Sequence, residues 1–425
     1  MKRLLRGAAL GKYLLLLFLL VLFVAFLWWR QSYGTIGRVD RLDFSTADYI
    51  AFVRPDSAGQ SNLYVVRADG TGLKRLTSDR AGKRAPAWSP DGRTLCYAAE
   101  SGSTYQIFLL GNGSPRQATY GSISKDAPRW RPDGKQVAYL AGGAIKVMLP
   151  NGSETEQIYP PPHRGNAPSE QAAPGQPTVD ESALRRPPIT RYAWSPNGVA
   201  IAGVQVLEGE NAPTIGTGNW WQRDAPTAPG EPPPLLVAEP ESVVVLPNLE
   251  TEQPLVLPGA TKVGFSWLPD SRRIALSLAT HKGQHGVLVF RTDEKDLPAQ
   301  PIFVGLGYTA SPDAPAVSPD GSKIAFEVWR VDSSEDSTLL GIAVVPTEPA
   351  QPLIVRTAAE VARIPIVIRG GREPRWSPDG TRLLYWRPGP GGRDLWVAQA
   401  DGSGEVNLTK GHGDSTDAVW SPVTH

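Results

Sequence analysis

The sequence has few of the residue types that build disulfide frameworks and thiolate metal sites. Among its 425 residues there is one cysteine, Cys96, and there are only five histidines. A single cysteine excludes a disulfide framework and any cysteine-rich metal site. The charged fraction is also modest, at 20%, but together with 41% apolar residues it is typical of a globular chain.

An excess of positive charge is absent from most of the chain. The first 30 residues contain five basic residues and no acidic residue. The other 395 residues therefore carry 38 of the 43 basic residues and all 42 acidic residues. A chain of this charge has no field that attracts a polyanion, so we predict that nucleic acid is not a partner.

One long apolar run lies near the N-terminus. Residues 13–29 read YLLLLFLLVLFVAFLWW, which is just long enough to cross the hydrocarbon core of a membrane. Trp28 and Trp29 stand where an interfacial aromatic belt is expected, and the basic residues before the run favour a cytoplasmic N-terminus. The run therefore predicts a transmembrane signal anchor with the rest of the chain outside the cytoplasm.

A cleavable signal peptide is the competing interpretation of this run. Such a peptide needs small residues at a cleavage site, whereas WWRQSYGTIGRVD follows here. We therefore expect a cytoplasmic basic tail over 1–12, the uncleaved anchor over 13–29, a tether over 30–47 and the folded domain over 48–425.

The rest of the chain repeats one phrase seven times. The copies are PAWSPDGRTLCYA from Pro86, PRWRPDGKQVAYL from Pro128, YAWSPNGVAIAGV from Tyr192, FSWLPDSRRIALS from Phe265, PAVSPDGSKIAFE from Pro315, PRWSPDGTRLLYW from Pro374 and a shortened AVWSP from Ala418. Self-similarity of this kind indicates a repeat architecture.

Each phrase predicts four short strands. The first strand ends at the tryptophan, because Ser-Pro cannot continue a sheet ladder and Asp-Gly forms a tight turn. A second strand follows, as at residues 324–326, then a third, as within 63–70, and after another Asp-Gly turn a short fourth strand, as at 74–77. One such antiparallel sheet cannot bury both of its faces, so the copies are expected to pack radially.

The two ends of the repeat region complement each other. The final phrase stops at Trp420-Ser421-Pro422, a first strand without a second, and residues 48–52 form a second strand without a first. Pairing the two would complete a seventh blade. The sequence thus predicts an all-β, seven-bladed β-propeller of four-stranded antiparallel blades, closed by the C-terminal strand and preceded by one transmembrane helix.

The phrase WSPDG-x-x-[IL]-A-[FY], followed by an Asp-Gly or Asn-Gly hairpin and a terminal Leu-Thr, resembles the WD40-like β-propeller repeat of the TolB type. The resemblance covers nearly everything after residue 47 and implies the propeller fold. It implies no single function, because that scaffold occurs in binding proteins, in lyases and in the non-catalytic propellers of serine peptidases.

Two proline-rich insertions, 160–191 and 207–241, fall on the same end of the predicted sheets. The second contains Trp220, Trp221 and Arg223, which are our candidate partner-binding residues because paired tryptophans can anchor a partner or a sugar. The alternative is that the two tryptophans fold back over a blade edge as a small satellite core.

Two other groups of residues contain possible metal ligands. His281 and His285 could share an ion, but they lie in a predicted hairpin loop without a cysteine or an acidic residue, so we expect a solvated turn. Asp332, Glu335 and Asp336 do not match the spacing of an EF-hand loop and predict surface charge. The sequence therefore predicts no metal and no cofactor.

Motifs of known catalytic sites are also absent from the sequence. It contains no nucleophile elbow, zinc-protease motif or phosphate-binding loop. The aspartates Asp91, Asp133, Asp320 and Asp379 recur at the same turn, which indicates a structural role, and Cys96 stands between Leu95 and Tyr97 in a predicted strand. We predict no catalytic residue.

These observations predict a single-pass protein of the bacterial cytoplasmic membrane with an extracytoplasmic propeller. The propeller is expected to be a non-enzymatic scaffold that binds a protein, a peptide or an envelope polymer on its loop-rich face. The alternative is a propeller enzyme, a glycan lyase or hydrolase, with its site at the central channel. The five histidines do not recur with the repeats, which does not support the lyase type.

Overall fold

The computed structural model describes most of the repeat region. The described ranges are 48–111, 113–153, 155–159, 189–206, 241–246, 255–256, 262–279, 284–292, 299–306, 310–331 and 337–422. The predicted anchor, 13–29, lies outside them, and within them no helix is long and apolar enough to cross a membrane.

The described residues form 29 strands and one short 3-10 helix, Ala358–Arg363. The strands are β1 (Tyr49–Pro55), β2 (Ser61–Arg67), β3 (Lys74–Arg75), β4 (Lys83–Trp88), β5 (Leu95–Ser101), β6 (Thr104–Leu110), β7 (Arg116–Gln117), β8 (Lys125–Trp130), β9 (Val137–Ala141), β10 (Ala144–Met148), β11 (Glu156–Tyr159), β12 (Ile189–Trp194), β13 (Ile201–Val206), β14 (Glu241–Leu246), β15 (Leu255–Val256), β16 (Lys262–Trp267), β17 (Arg273–Ala279), β18 (Gln284–Arg291), β19 (Gln300–Leu306), β20 (Ala310–Val317), β21 (Lys323–Val331), β22 (Ser337–Pro346), β23 (Leu353–Val355), β24 (Ile366–Arg369), β25 (Arg372–Trp376), β26 (Arg382–Gly389), β27 (Gly392–Gln399), β28 (Val406–Asn407) and β29 (Thr416–Trp420).

Within the described residues these strands form seven sheets, and the fold is all-β. In chain order we name them sheet 1 (β29-β1-β2-β3), sheet 2 (β4-β5-β6-β7), sheet 3 (β8-β9-β10-β11), sheet 4 (β12-β13-β14-β15), sheet 5 (β16-β17-β18-β19-β23), sheet 6 (β20-β21-β22-β24) and sheet 7 (β25-β26-β27-β28). Six of the seven are four-stranded and antiparallel, as the repeat predicts.

The turn after each first strand follows the predicted chemistry. In sheet 6 the Asp320 carboxylate accepts hydrogen bonds from the Ser318 hydroxyl and from the Ser322 amide. The hydrogen bonds from the hydroxyls of Ser318 and Ser322 and from the Ser322 amide lower the pKa of Asp320 to about 2. Asp91 and Asp379 make the same contacts in sheets 2 and 7. The recurring aspartates therefore stabilise turns.

Each sheet buries its two faces against two neighbours. The described core consists of seven hydrophobic clusters, and each cluster combines side chains from two sheets that follow one another in the chain, or from sheets 7 and 1. In the cluster between sheets 7 and 1, Ile50 and Phe52 pack with Leu384 and Trp420. Burial between sheets, rather than within one sheet, is the source of the stability of this architecture.

Four of the six repeated tryptophans, Trp194, Trp267, Trp376 and Trp420, also link neighbouring sheets by a hydrogen bond. Trp376 Nε1 donates to the carbonyl of Ala316, 2.9 Å away, and Trp420 Nε1 donates to the carbonyl of Arg375 at 3.2 Å. Trp194 and Trp267 do the same to the sheets before them. In all four cases the acceptor is the carbonyl of the residue just before the tryptophan position of the preceding sheet, which is Val317 in sheet 6. The indole N–H of these four tryptophans is therefore satisfied at the junction between two sheets.

Sheet 1 combines strands from opposite ends of the repeat region. β29 is antiparallel to β1, with Ile50 opposite Trp420 and Ala51 opposite Val419. Outside the ladder, the Ser421 amide donates to the Tyr49 carbonyl at 2.7 Å. The edge of β1 is thereby covered by the last described strand.

Sheet 5 differs from the prediction because it has a fifth strand. The connection from β22 to β24 in sheet 6 spans 347–365 instead of a tight turn. Within it, β23 pairs in parallel with the outer strand β19 of sheet 5, with Leu353 opposite Phe303. The 3-10 helix follows, and Val361 is buried in the cluster between sheets 5 and 6. The long connection therefore joins the outer edges of two sheets.

The sheet connections emerge at two ends. We call the end with the first-to-second and third-to-fourth turns the short-turn face, and the opposite end the loop-rich face. The described chain enters at the short-turn face, where Asp48 forms an ion pair with Arg382, next to the Asp379 turn. The two proline-rich insertions lie largely outside the described residues.

Candidate functional site

Five of the first strands contain the same β-bulge near the loop-rich face. The residue three positions before the tryptophan position has a left-handed backbone although it is not glycine: Ala85, Ala127, Ala314, Glu373 and Asp417, with φ between 45° and 52°. The strand register shifts at each of them. Such backbones are costly for residues with a Cβ, so surrounding contacts must hold them.

Carboxylates hold these bulges by accepting from their backbone amides. Glu327 of β21 reaches the next sheet and accepts from the Glu373 amide at 2.7 Å, while Asp417 accepts from the Ala85 amide at 3.0 Å. Asp126 and Asp313 accept from the amides of the residues that follow them. These acidic side chains of the first and second strands thus support the backbone of the bulges.

Glu327 is the most buried carboxylate of this group. Its side chain is 1% exposed, and it also accepts from Trp329 Nε1 at 2.9 Å. Burial raises the pKa of Glu327, although the hydrogen bond from the Glu373 amide opposes the shift. Nearby, the Arg372 guanidinium lies over the rings of Trp329 and Trp386, at 4.8 and 4.6 Å from their centroids.

Arginines on the first strands of three sheets connect the sheet to the following one. Arg84 of sheet 2 forms two 3.0 Å contacts with Asp126 of sheet 3, and Arg191 of sheet 4 donates to the Val263 carbonyl of sheet 5 at 2.7 Å. Arg375 of sheet 7 donates through Nη1 to the Ala418 carbonyl of sheet 1 at 2.8 Å. These contacts start from the first strands, which are the edge strands of their sheets.

A cavity of about 180 Å³ lies between sheets 7 and 1, next to Arg375. Its lining includes Glu373 and Arg375 on β25, Trp386 on β26, Arg393 on β27 and Asp417 on β29, together with the hydroxyl residues Tyr385, Ser415 and Thr416. Arg393 is held by a bidentate ion pair with Asp414, at 2.8 and 2.7 Å. Trp386 Nε1 is buried and has no hydrogen-bond acceptor among the described residues.

Arg375 is exposed and lies among other charged groups of this cavity. Desolvation lowers the pKa of Arg375, and the positive charge of Arg129 lowers it further, while Glu373 and Asp417 oppose the shift. The two arginines stand at the same position, directly before the tryptophan, in sheets 7 and 3.

The sequence did not indicate this cavity or its residues. The pattern Ala-Pro or Glu-Pro ahead of the tryptophan, as in Arg84-Ala85-Pro86 and Arg372-Glu373-Pro374, was the available signal for the bulge. The candidate residues Trp220, Trp221 and Arg223 lie outside the described residues and stay a prediction. The same holds for His281 and for Asp332, Glu335 and Asp336. In the described ranges, no group of three or more histidine, cysteine, aspartate or glutamate side chains could hold a metal ion.

The prediction of a solvated turn at His285 is wrong. His285 belongs to β18, pairs with Ala279 and Gly305 and is 7% exposed. Burial lowers its pKa to about 4, and its Nδ1 has no hydrogen-bond partner among the described residues. All five residues from His285 to Val289 are buried, so both faces of β18 lie in the interior, including the imidazole.

Acidification is expected to destabilise the fold through His285. The folded protein keeps the imidazole neutral down to about pH 4, from an ordinary value of 6.5, whereas the unfolded chain binds a proton below that value. Stability is therefore complete above about pH 6.5 and falls by about 3 kcal/mol by pH 4. Denaturant unfolding of His285→Gln should lack this part of the pH dependence, while His412→Gln, at an exposed site, should follow the wild type. Equal slopes for all three proteins would contradict the assignment.

Part of this chain matches a known family of protein domains. Residues 46–169 match the family described as TolB beta propeller domain, so this segment is a β-propeller segment of the TolB type. The match covers less than a third of the chain. It agrees with the resemblance drawn from the repeated phrase.

Individual similar proteins do not assign an activity. The lasso peptide isopeptidase AtxE2 of Asticcacaulis excentricus is 28% identical over 123 residues, a match that spans 25% of this chain and 17% of that protein. TolB from Acinetobacter baumannii is 15% identical over 90% of this chain and 68% of its own, with a TM-score of 0.42. The periplasmic gluconolactonase PpgL of Pseudomonas aeruginosa is 14% identical over 88% of this chain and 99% of its own, with a TM-score of 0.43.

Proposed function

We propose that this protein is a membrane-anchored binding scaffold of the bacterial cell envelope, built on a closed seven-bladed propeller. The hydrophobic cluster between sheets 7 and 1 and the pairing of β29 with β1 support the closed ring. The apolar run 13–29 with its flanking basic residues supports a single-pass anchor, with the N-terminus in the cytoplasm and the propeller outside.

The observation that carries the scaffold proposal is the use of carboxylates on the first and second strands. Asp126, Asp313, Glu327 and Asp417 each accept from a bulge amide, so these groups stabilise backbone rather than stand ready for acid–base chemistry. The alternative, a propeller enzyme, would use the cavity beside Arg375. A glycan or peptide substrate would then have to bind there.

The direction of chain entry favours the loop-rich face as the partner surface. The described chain begins at the short-turn face, so an anchor before residue 48 would hold that face toward the membrane. The loop-rich face would point away from it and be free to contact a protein, a peptide or an envelope polymer. On that face Tyr120 and Ile123 of one loop are 71% and 55% exposed. Leu73 and Val199, the other large exposed apolar side chains in the described ranges, stand singly in short-turn connections.

Site-specific crosslinking in membranes tests this proposal. A photo-reactive residue at Tyr120, on the loop-rich face, should capture a defined partner, whereas one at Lys135, exposed in the turn of sheet 3, should not. Deletion of residues 211–234, which removes Trp220, Trp221 and Arg223, is expected to abolish capture. Deletion of 163–187, in the other insertion, is the matched control.

Two results would contradict the proposal. Capture from Lys135 but not from Tyr120 would place the partner on the short-turn face instead of the loop-rich face. The absence of any partner from both positions would favour the enzyme alternative, and turnover of envelope glycans and peptides by Arg375→Gln would then be compared with the wild type. Capture that survives deletion of 211–234 would keep the face but remove Trp220, Trp221 and Arg223 from the site.

A further inference from the structure

We propose that part of the tether, residues 41–44, docks into a second cavity between sheets 7 and 1, on the short-turn face. This cavity has a volume of about 490 Å³ and lies where the described chain enters the fold. Docking would fix the propeller relative to the chain that precedes it. The inference does not depend on the proposed partner surface, and only its consequence for orientation at the membrane rests on the proposed anchor.

The cavity combines an apolar wall with a charged rim. Ala68, Val397 and Ala398 line it and are each at most 4% exposed, and Val406 adds a further apolar side chain. Pockets of roughly 300–1,000 Å³ bury most of a drug-sized ligand, which is comparable in size to a few side chains. The charged residues of the rim are Asp48, Arg67, Asp69 and Arg382.

The backbone at the entry point turns away from the line of β1. Asp48 has a φ of 95°, which is costly for a residue with a Cβ. Two contacts hold this conformation, because the Asp48 carbonyl accepts from the Ala68 amide at 2.9 Å and its carboxylate pairs with Arg382. A chain that ran straight from β1 into solvent would not need this bend. The bend therefore favours a preceding segment that continues along the protein surface.

The residues just before Asp48 have a pattern that suits the cavity. Residues 41–44 read Arg-Leu-Asp-Phe, so charged and apolar side chains alternate. In an extended segment Leu42 and Phe44 then share one face and the charged side chains share the other. Phe44 is four positions from Asp48, which limits the separation of their Cα atoms to about 14 Å. We therefore place Phe44 against the apolar wall, beside Val397.

The charged rim indicates Arg67 as the partner of Asp43. Of the acidic residues of the rim, Asp48 is already paired, and Asp69 accepts from the amide and the hydroxyl of Thr71 at 2.8 and 2.7 Å. Arg67 is exposed and forms no ion pair with a carboxylate of the described ranges. Because an exposed ion pair contributes little stability, this pair sets the register of the segment, and apolar burial supplies the affinity.

Disulfide trapping in the full-length protein in detergent tests this inference. The native Cys96 is fully buried, so introduced cysteines react with each other. Ser45→Cys combined with Gln399→Cys, at an exposed position of the cavity, should form a disulfide on mild oxidation. The matched control is Ser45→Cys combined with Arg93→Cys, exposed in a turn of sheet 2, on the other side of sheet 1. The control pair should react about tenfold more slowly.

Substitutions added to the cysteine pair of the cavity identify the contacts. Phe44→Asp is expected to slow disulfide formation about tenfold, because a charged side chain does not bind an apolar wall. Arg67→Glu should slow it a few-fold, and further addition of Asp43→Arg should restore the rate, since the two charges are then exchanged. Arg93→Glu reverses an exposed charge outside the cavity and should leave the rate unchanged.

Either of two results would overturn the inference. One is equal rates of disulfide formation with Gln399→Cys and with Arg93→Cys. The other is a rate with Gln399→Cys that Phe44→Asp does not change. Failure of Asp43→Arg to restore the rate lost in Arg67→Glu would overturn the pairing of Asp43 with Arg67. None of these results would affect capture of a partner from Tyr120.

Discussion

Removal of β29 is expected to abolish the cooperative unfolding transition of the whole repeat domain. A chain that ends before Thr416 loses the strand that covers β1 and the indole of Trp420, which is 7% exposed in the cluster between sheets 7 and 1. It also loses the Ala418 carbonyl that Arg375 binds and the Asp417 carboxylate that holds the bulge at Ala85.

The expected magnitude exceeds the usual margin of stability. Deleting one buried tryptophan side chain typically costs about 3–5 kcal/mol of stability. The truncation also removes the hydrogen bonds between β29 and β1, the contacts of Ala418 and Asp417 with other sheets, and the packing over Ile50 and Phe52. Thermal unfolding followed by circular dichroism, together with limited proteolysis, measures the effect. The exposed edge of β1 is also expected to promote aggregation.

A shorter truncation provides the control. A chain that ends at Pro422 keeps all of β29 and should unfold like the full-length protein. If the chain that lacks β29 keeps a cooperative transition within a few degrees of the wild type, then sheets 7 and 1 do not depend on each other. The proposed closed ring would then be wrong.

Trp376→Ala is expected to destabilise the protein by about 3–5 kcal/mol. Trp376 is 8% exposed in the cluster between sheets 6 and 7, where it packs with Ala325, Leu383 and Tyr385. Its truncation leaves a large void and removes the 2.9 Å hydrogen bond to the Ala316 carbonyl. The free energy of unfolding in denaturant measures the loss.

Trp376→Phe separates packing from hydrogen bonding at this position. The phenyl ring keeps most of the buried area but has no donor, so we expect a loss of about 1–2 kcal/mol. Val317 occupies the equivalent position of sheet 6. Therefore Val317→Ala, which removes less volume, should cost less than Trp376→Ala. Equal losses for Trp376→Ala and Trp376→Phe would show that the hydrogen bond, not packing, dominates.

The strand boundaries inside each repeat were predictable because the turn chemistry is local. The strands β4, β8, β12, β16, β25 and β29 all end at the repeated tryptophan, and β20 ends at the equivalent Val317. Proline two residues later cannot donate to a ladder, and Gly92 and Gly321 adopt φ values of 67° and 75° in the following turns. In sheet 5, Ser271 adopts the same backbone at φ 60° without being glycine.

The position of β23 was not predictable from such signals. Residues 353–355 read Leu-Ile-Val, which is typical of a strand, but their partner is β19 of the preceding sheet rather than a strand of their own. Strand propensity describes how well a segment fits a pleated surface and does not specify the surface. The burial of His285 escaped prediction for a related reason, because its partners Ala279 and Gly305 are fixed by register and not by neighbours in the chain.

By itself, the sequence determined the all-β class, the strand phase within each repeat and the structural role of the turn aspartates, since all of these depend on residues a few positions apart. Only the tertiary structure decided that carboxylates hold the bulge amides and that Arg375 and Trp386 line one cavity. These features join residues such as Ala85 and Asp417, which are 332 positions apart. Contacts at that separation depend on how the sheets pack. No local pattern in the chain specifies which side chains of neighbouring first strands meet.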